Sequence, residues 1–587
     1  MIQFLGLLGL SATFPTSLAS AQEKSLLVVY PRNNYQTKAE KVFFIGTAPS
    51  SGNVFINGQV VIRSKSGHFA PSFPLKLGEN LFKISYQNQK IKIKVTRNTN
   101  QSIIPESLAF AKNSLFPKSD IARMPGEIIC FGAIATPNAN AIVQLGNVNI
   151  PLLPQIQHVQ LPSHIVALTG QNQPKIRDNI TKYQGCKTLD SPGDFGKPLF
   201  KLTQAGQTLT QEGVGRVQIL SPKQVEVAEI TANMGLTRTG PNTSYSRLTP
   251  LPQGTQAVIS GKEGKWLRLD YGAWINSKET RIVSNVIQPQ SIIRGVGYKQ
   301  ISQTTEITFL LDSPVPIDVQ QGNKTFILTL YNATAQTDTI RTDNDPLISR
   351  LDWRQVNPKK LQYTFTLKTD QQWGYKLRYI GKSLVLTMRH PSKLERSRYR
   401  PLSGIKILLD PGHGGHESGA VGPTGYQEKD VNLVVSKLLR QELVRRGAIV
   451  VMTREEDKNV SLANRQLIIT QEKPAISLSI HYNALPDTGN AEKTKGIGTF
   501  WYHPQAHSLA MFLQNYLVKK LKRPSYGVFW GNLALTRPAI APSILLELGF
   551  IINPDEFEWI TNEKEQKKLV KVLADGIIKW FKDSLTR

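Results

Sequence analysis

Cysteine is nearly absent: Cys130 and Cys186 are the only two in 587 residues. That excludes a disulfide-dense miniature fold and any cysteine-only metal cluster. The pair could close a loop, stabilising by about 4 kcal/mol on a chain-entropy view, or remain two buried thiols, and spacing does not choose between them. No HExxH occurs, so the metallopeptidase signature carried on one helix is missing. After the N-terminal segment no apolar run is long enough for a bilayer-spanning helix. Acidic residues are scarce, 43 against 71 Lys and Arg, giving a formal charge of +28. Such a surplus favours anionic partners in a salt-dependent way. The basic residues are scattered rather than clustered, which argues against a dedicated nucleic-acid groove.

A length of 587 residues exceeds what one hydrophobic core supports, so several domains are expected. The start, MIQFLGLLGLSATFPTSLASAQ, is a short apolar stretch ending in Ala19-Ser20-Ala21, which reads as a secretory signal over residues 1–21. It has no Lys or Arg ahead of the apolar run, so an uncleaved anchor or a misassigned start is the alternative. Export to the periplasm or cell wall, with no transmembrane segment in the mature chain, is the expectation.

Residues 22–97 alternate short strands with turns, and VFINGQVV places Asn57-Gly58 between apolar runs, a two-residue hairpin signal. This stretch resembles an immunoglobulin-like β-sandwich. Residues 98–215, with EIICFGAIA and NAIVQLG among Pro- and Gln-rich connections, read as a second β domain. LTRTGPNTSYSRLTPLPQGTQAVISGKEGKWLRLDYGAWI, within residues 216–286, resembles a bacterial Src-homology-3-like barrel. Trp266 and Trp274 there either bind wall peptides or fill the small core. EITFLLDSPVPIDV, TFILTLYNA, LQYTFTLK and GYKLRYIGKSLVLTMRHP, within residues 287–397, resemble the AMIN domain, a β module that precedes wall amidases and implies peptidoglycan binding and anchoring.

From Lys406 strands alternate with helices, which predicts a C-terminal α/β domain, residues 398–587, on a mostly parallel sheet. KILLD, AIVVMTR, AISLSIHYNA and SILLELGF read as buried strands. Val431, Val434, Val435 and Leu438 mark one helix, Leu509, Phe512, Leu513, Tyr516 and Leu517 a second, and Leu569, Val572, Leu573 and Ile577 a third. His413, His481 and Glu547 each stand where an apolar strand ends, the edge at which open α/β sheets gather ligands. Glu428 stands at the start of the first helix, near the same edge. Two histidines and a carboxylate suit a catalytic zinc, and a second carboxylate could accept a proton from water.

DPGHGGHESGAVGPTGYQEKDVNL, VVMTREEDKNVSLANRQ, LSIHYNA and PSILLELGFIINPDEFE follow, in order, the motifs of the zinc-dependent N-acetylmuramoyl-L-alanine amidase type-3 family, which this last third of the chain resembles. The resemblance implies Zn2+ held by His413, Glu428 and His481, with Glu547 as catalytic acid/base. It implies hydrolysis of the amide between N-acetylmuramic acid and L-alanine in peptidoglycan by a zinc-activated water, in wall remodelling or daughter-cell separation. Asn483 and Arg465 also fall in family motifs, without an assigned role, and His416, His503 and His507 are read as structural or substrate-facing. Some members carry a helical insertion after the SIH strand that blocks the site. Here only ALPDTGNAEKTK intervenes before GIGTFWYH, which predicts an enzyme with no such gate.

Three other readings compete. A zinc peptidase could cut within the stem peptide using the same groups. A wall-binding scaffold could retain a vestigial hydrolase fold, and a secreted nucleic-acid binder would rest on charge alone.

Overall fold

A computed structural model describes residues 25–98, 105, 107–155, 157–161, 173–178, 181–284, 287–394, 397 and 399–585. The expected signal segment, residues 1–21, lies outside them.

Up to Arg389 the described chain is built of β-sheets, with one short 3-10 turn at Ser277–Glu279. Residues 27–97 form sheets of three, five and two strands around a core that includes Val42, Phe44, Val54, Phe69 and Ile84. Asn57 and Gly58 turn the hairpin between Val54–Ile56 and Gln59–Val60 with φ of 48° and 80°, as a tight hairpin requires. The next unit is a six-stranded sheet in which Ile128–Ile134 pairs with Lys182–Thr188. Cys130 faces Cys186 across those strands, Cα atoms 4.0 Å apart, and the two are disulfide-bonded. Val217 and Ile219 pack into this unit's core, while their strand also joins the sheet of residues 226–284. Trp266 and Trp274 are buried, and the guanidinium groups of Arg123 and Arg268 lie 5.6 and 5.9 Å from the Trp274 ring. Two four-stranded sheets between Val296 and Arg389 share one core with residues 228–275.

The C-terminal domain runs β1 (Lys406–Pro411), α1 (Glu428–Arg445), β2 (Ile449–Met452), α2 (Leu462–Glu472), β3 (Ile476–Asn483), β4 (Ile497–Trp501), α3 (Pro504–Leu521), β5 (Ser525–Trp530), β6 (Ser543–Phe550), α4 (Pro554–Ile560) and α5 (Glu563–Leu585). The sheet order is β2-β1-β3-β6-β4-β5. All neighbours are parallel except β4 and β6, so the sheet is mixed. Ile407, Leu409, Leu478, Ile480, Leu546 and Leu548 send their side chains into one core with α1, α3 and α5. On the opposite face Leu408 packs against Ile469 of α2. Strands covered on both sides read as continuous apolar runs for this reason.

α1 buries Val431, Val435, Leu439 and Leu443, an i, i+4 row, whereas Val434 is exposed. The sequence stripe was therefore set too close to Val434. Ridges of i, i+4 residues seat a helix on a sheet with its flanks still in water.

Candidate metal centre

His413 and Glu428 are placed by element ends, whereas His481 and Glu547 stand within strands that run on past them, β3 to Asn483 and β6 to Phe550. β1 stops at Pro411 and the chain turns through Gly412 to His413, whose φ of 58° lies in the left-handed region. Histidine tolerates that region better than most residues, and the conformation persists because its surroundings fix it. Arg465 donates to the carbonyls of Pro411 (2.7 Å), His413 (2.6 Å) and Val460 (2.8 Å). Arg454 donates to those of Pro411 (3.0 Å), Gly412 (2.9 Å) and Lys429 (2.7 Å). Two buried guanidinium groups thus supply donors to the carbonyls of this loop. Asp410 beneath accepts from Arg465 (2.6 Å), Thr453 (2.5 Å) and Ser479 (2.6 Å). Arg454 was missed in the sequence, where it stands two residues beyond the apolar run of β2.

Glu428 is the first residue of α1 and is 4% exposed. Its Oε1 lies 2.9 Å from His481 Nδ1 and accepts from the Tyr482 backbone N–H at 3.2 Å. Its Oε2 lies 3.3 Å from His413 Nε2 and accepts from the Ala420 N–H at 2.9 Å. Burial pushes this carboxyl up, but the two imidazoles outweigh it and hold it well below the usual range. Asn432, one turn on, donates to both Glu428 Oε1 and the Gly412 carbonyl at 3.3 Å. Two glycines keep the centre open. A Cβ on Gly412 would lie 2.2 Å from the His481 ring, and one on Gly419 would lie 2.5 Å from Glu428 Oε2.

The ligand atoms of His413, Glu428 and His481 all lie within 4.8 Å of one another. Two imidazole nitrogens and a carboxylate oxygen fit a tetrahedral divalent zinc with one position left for water or substrate. Glu547 joins from β6, where it is the register partner of His481. Its Oε2 is buried without a hydrogen-bond partner, an orphan suited to a water or substrate proton. Burial, together with the charge of Glu428, pushes the Glu547 carboxyl well above its ordinary value. The site therefore holds two carboxyl groups driven in opposite directions.

Other singled-out residues stand aside. His416 contacts Asn459 at 2.7 Å. His503 precedes α3, contacts the Arg537 carbonyl at 2.6 Å, and is pushed down to about 4 by burial. His507 packs on Trp501, and the Asn483 side chain accepts from the Ala484 N–H at 2.8 Å. Residues 484–496 contain turns and no helix.

Residues 407–579 match the family described as N-acetylmuramoyl-L-alanine amidase. The probable cell wall amidase LytH of Staphylococcus aureus is 38% identical over 183 residues, which are 31% of this chain and 60% of that protein. The chain thus spans less than two thirds of that relative's length. A solved N-acetylmuramoyl-L-alanine amidase from Clostridium difficile 630 shares 30% identity, covering 30% of this chain and 97% of the other, with a TM-score of 0.29. For AmiC2 of Nostoc punctiforme the values are 29%, 32%, 99% and 0.29. The family match rests on sequence: residues 407–579 form a domain of the N-acetylmuramoyl-L-alanine amidase family.

Proposed function

We propose that the chain is an exported, zinc-dependent amidase that hydrolyses the bond between the lactyl group of N-acetylmuramic acid and L-alanine in peptidoglycan, for wall remodelling or daughter-cell separation. The observation that carries this reading is the pairing of His481 with Glu547 across β3 and β6, beside His413 and Glu428. His413, Glu428 and His481 would hold the zinc, and bound zinc supplies a Lewis acid that polarises a carbonyl and acidifies water. Glu547 then takes a proton from the water whose oxygen attacks the lactyl carbonyl carbon. The same carboxyl delivers that proton to the alanine nitrogen as the C–N bond breaks, leaving a lactyl carboxylate on the glycan and a free stem peptide. Its raised pKa favours the proton-accepting half of this relay, since burial and the charge of Glu428 make the carboxyl a stronger base than an ordinary glutamate. Asn432, Arg454 and Arg465 fix the backbone that carries His413.

Export is supported by the Cys130–Cys186 bond, since such bonds persist in oxidising compartments. The β units ahead of the amidase domain are proposed to bind the wall, in keeping with the +28 charge. Mass spectrometry of products from purified peptidoglycan tests the reaction. Release of stem peptides with free L-alanine amino termini is expected, and cleavage between amino acids of the stem would replace this reading with a peptidase.

A further inference from the structure

The row that holds His481 and Glu547 does not stop at β6. The register partners of Glu547 in β4 and of that residue in β5 are Gly498 and Gly527. His481, Glu547, Gly498 and Gly527 therefore stand side by side on one face of the sheet, because paired residues project to the same side. Along that face, Leu545, Phe500 and Phe529 form the next row. α3 packs on β4 and β5, with Thr499 on the opposite face bonded to Gln514 at 2.8 Å. On the Glu547 face the neighbouring helix, α2, lies over β1 and the short turn Ala534–Thr536 instead.

The two glycines leave room that aromatic rings fill. A Cβ on Gly498 would lie 3.2 Å from Tyr526 Cδ1 and 3.7 Å from Glu547 Cβ, and one on Gly527 would lie 3.0 Å from Phe529 Cζ. Tyr526 thus lies beside Gly498, and Phe529 over Gly527. The pairing of β4 with β5 skips Tyr526, a bulge of the kind that re-aims a side chain near a site. Tyr526 and Phe529 have ring centroids 5.3 Å apart, and Phe500 stacks on Phe529 at 5.0 Å and 23°. Phe500 is buried, whereas Tyr526 and Phe529 keep part of their surface in solvent. Gly498 thus brings the Tyr526 ring and the Glu547 side chain to either side of one open position.

We propose that Tyr526 and Phe529 form a sugar-stacking subsite that receives the muramoyl ring of the substrate and so sets which side of the amide is recognised. This rests on the amidase reading above. With Phe500 stacked on Phe529 and Phe550 set edge-to-face against Tyr526 at 4.8 Å, the parts of the two rings left in solvent are mostly carbon, so the shelf cannot satisfy the N–H and C=O groups of a peptide laid across it. A pyranose offers an apolar C–H face that suits an aromatic surface, with its hydroxyls directed at the rim. Distance agrees: two strand spacings of about 4.8 Å put Gly527 about 10 Å from Glu547. The short lactyl ether keeps the muramoyl ring within that reach of the carbonyl under attack.

The test compares two substrates of the full-length chain, an N-acetylmuramoyl-L-alanyl peptide and the same peptide carrying a D-lactoyl group in place of the sugar. The lactoyl substrate is followed at higher enzyme concentration. For Phe529→Leu, kcat/KM on the muramoyl peptide is expected to fall about tenfold, mainly through KM, with the lactoyl substrate unaffected. Phe529→Tyr should restore the wild-type ratio. Tyr526→Leu provides the same comparison if Phe529→Leu does not fold. Equal losses on both substrates, or no loss on either, would overturn the subsite while leaving the amidase reading intact. Turnover of neither substrate by the wild type would overturn both.

Discussion

Arg465 ties Asp410, Pro411, His413 and Val460 together through a single planar fork, with donor distances between 2.6 and 2.8 Å. Lysine has the charge but not the fork, so Arg465→Lys should leave the fold in place and loosen the His413 turn. A fall in zinc affinity of about 10- to 100-fold is expected, measured by competition with a chromogenic chelator. Asp410, under the same turn, is fully buried, and its net shift is downward. Burial raises its carboxyl, but Arg465 and the hydroxyls of Ser479 and Thr453 outweigh that effect. A depressed folded-state pKa contributes stability that is present above the unfolded value of about 3.9 and lost as pH falls through the folded value. Asp410→Asn should therefore cost about 3 kcal/mol at neutral pH, and the gap from wild type should narrow only below about pH 4. Denaturant titrations at both pH values measure this, and an equal gap at each would contradict it.

At the scale of elements, the turn after β1 depends on Gly412 having no side chain. An added Cβ would sit 2.2 to 2.6 Å from three atoms of the His481 ring. Gly412→Ala is expected to abolish metal binding while circular dichroism stays native, and retention of metal would show that the ring can move aside. The placement of His413, His481 and Glu547 was legible because KILLD, AISLSI and SILLEL are buried on both faces and each run gives way to a polar residue, although β3 and β6 continue beyond His481 and Glu547 to Asn483 and Phe550. Glu428 was legible as a helix start. The direction of β4 was not, since a doubly buried strand has the same apolar composition whether it runs parallel or antiparallel. Arg454 escaped notice for a related reason: its role lies in carbonyls it meets only after folding, and no residue spacing encodes that.

At the scale of the whole molecule, the β units do not simply trail from the catalytic domain. Val42 and Phe44 face their own core, while Phe43 and Ile45 pack into the core of the amidase domain. Asp487, in the loop that leaves β3, accepts from the hydroxyls of Tyr30, Tyr35 (3.0 Å) and Thr37 (2.7 Å). Glu558 of α4 accepts from the Ser66 N–H at 2.7 Å. From the other side, Trp373 packs against Trp580 and Phe581 with ring centroids 5.6 and 6.0 Å away. The apolar run VFFI at 42–45 carried this signal, because a strand with one solvated face would alternate. A fragment of residues 398–587 would bare all these contacts. It should unfold at least about 5 °C below the full chain in differential scanning fluorimetry, even though the segment 484–496 has no helix to act as a gate. Equal midpoints would show that the units are independent.

His413, Glu428 and His481 are proposed to make one zinc site served by Glu547. Elemental analysis of purified full-length protein, paired with the peptidoglycan assay, tests it most directly. A single zinc per chain is expected in the wild type and in Glu547→Gln, with activity lost only in the latter; Glu428→Ala should lose both metal and activity. Full activity in Glu428→Ala, or in wild type stripped of metal by a chelator, would contradict the account.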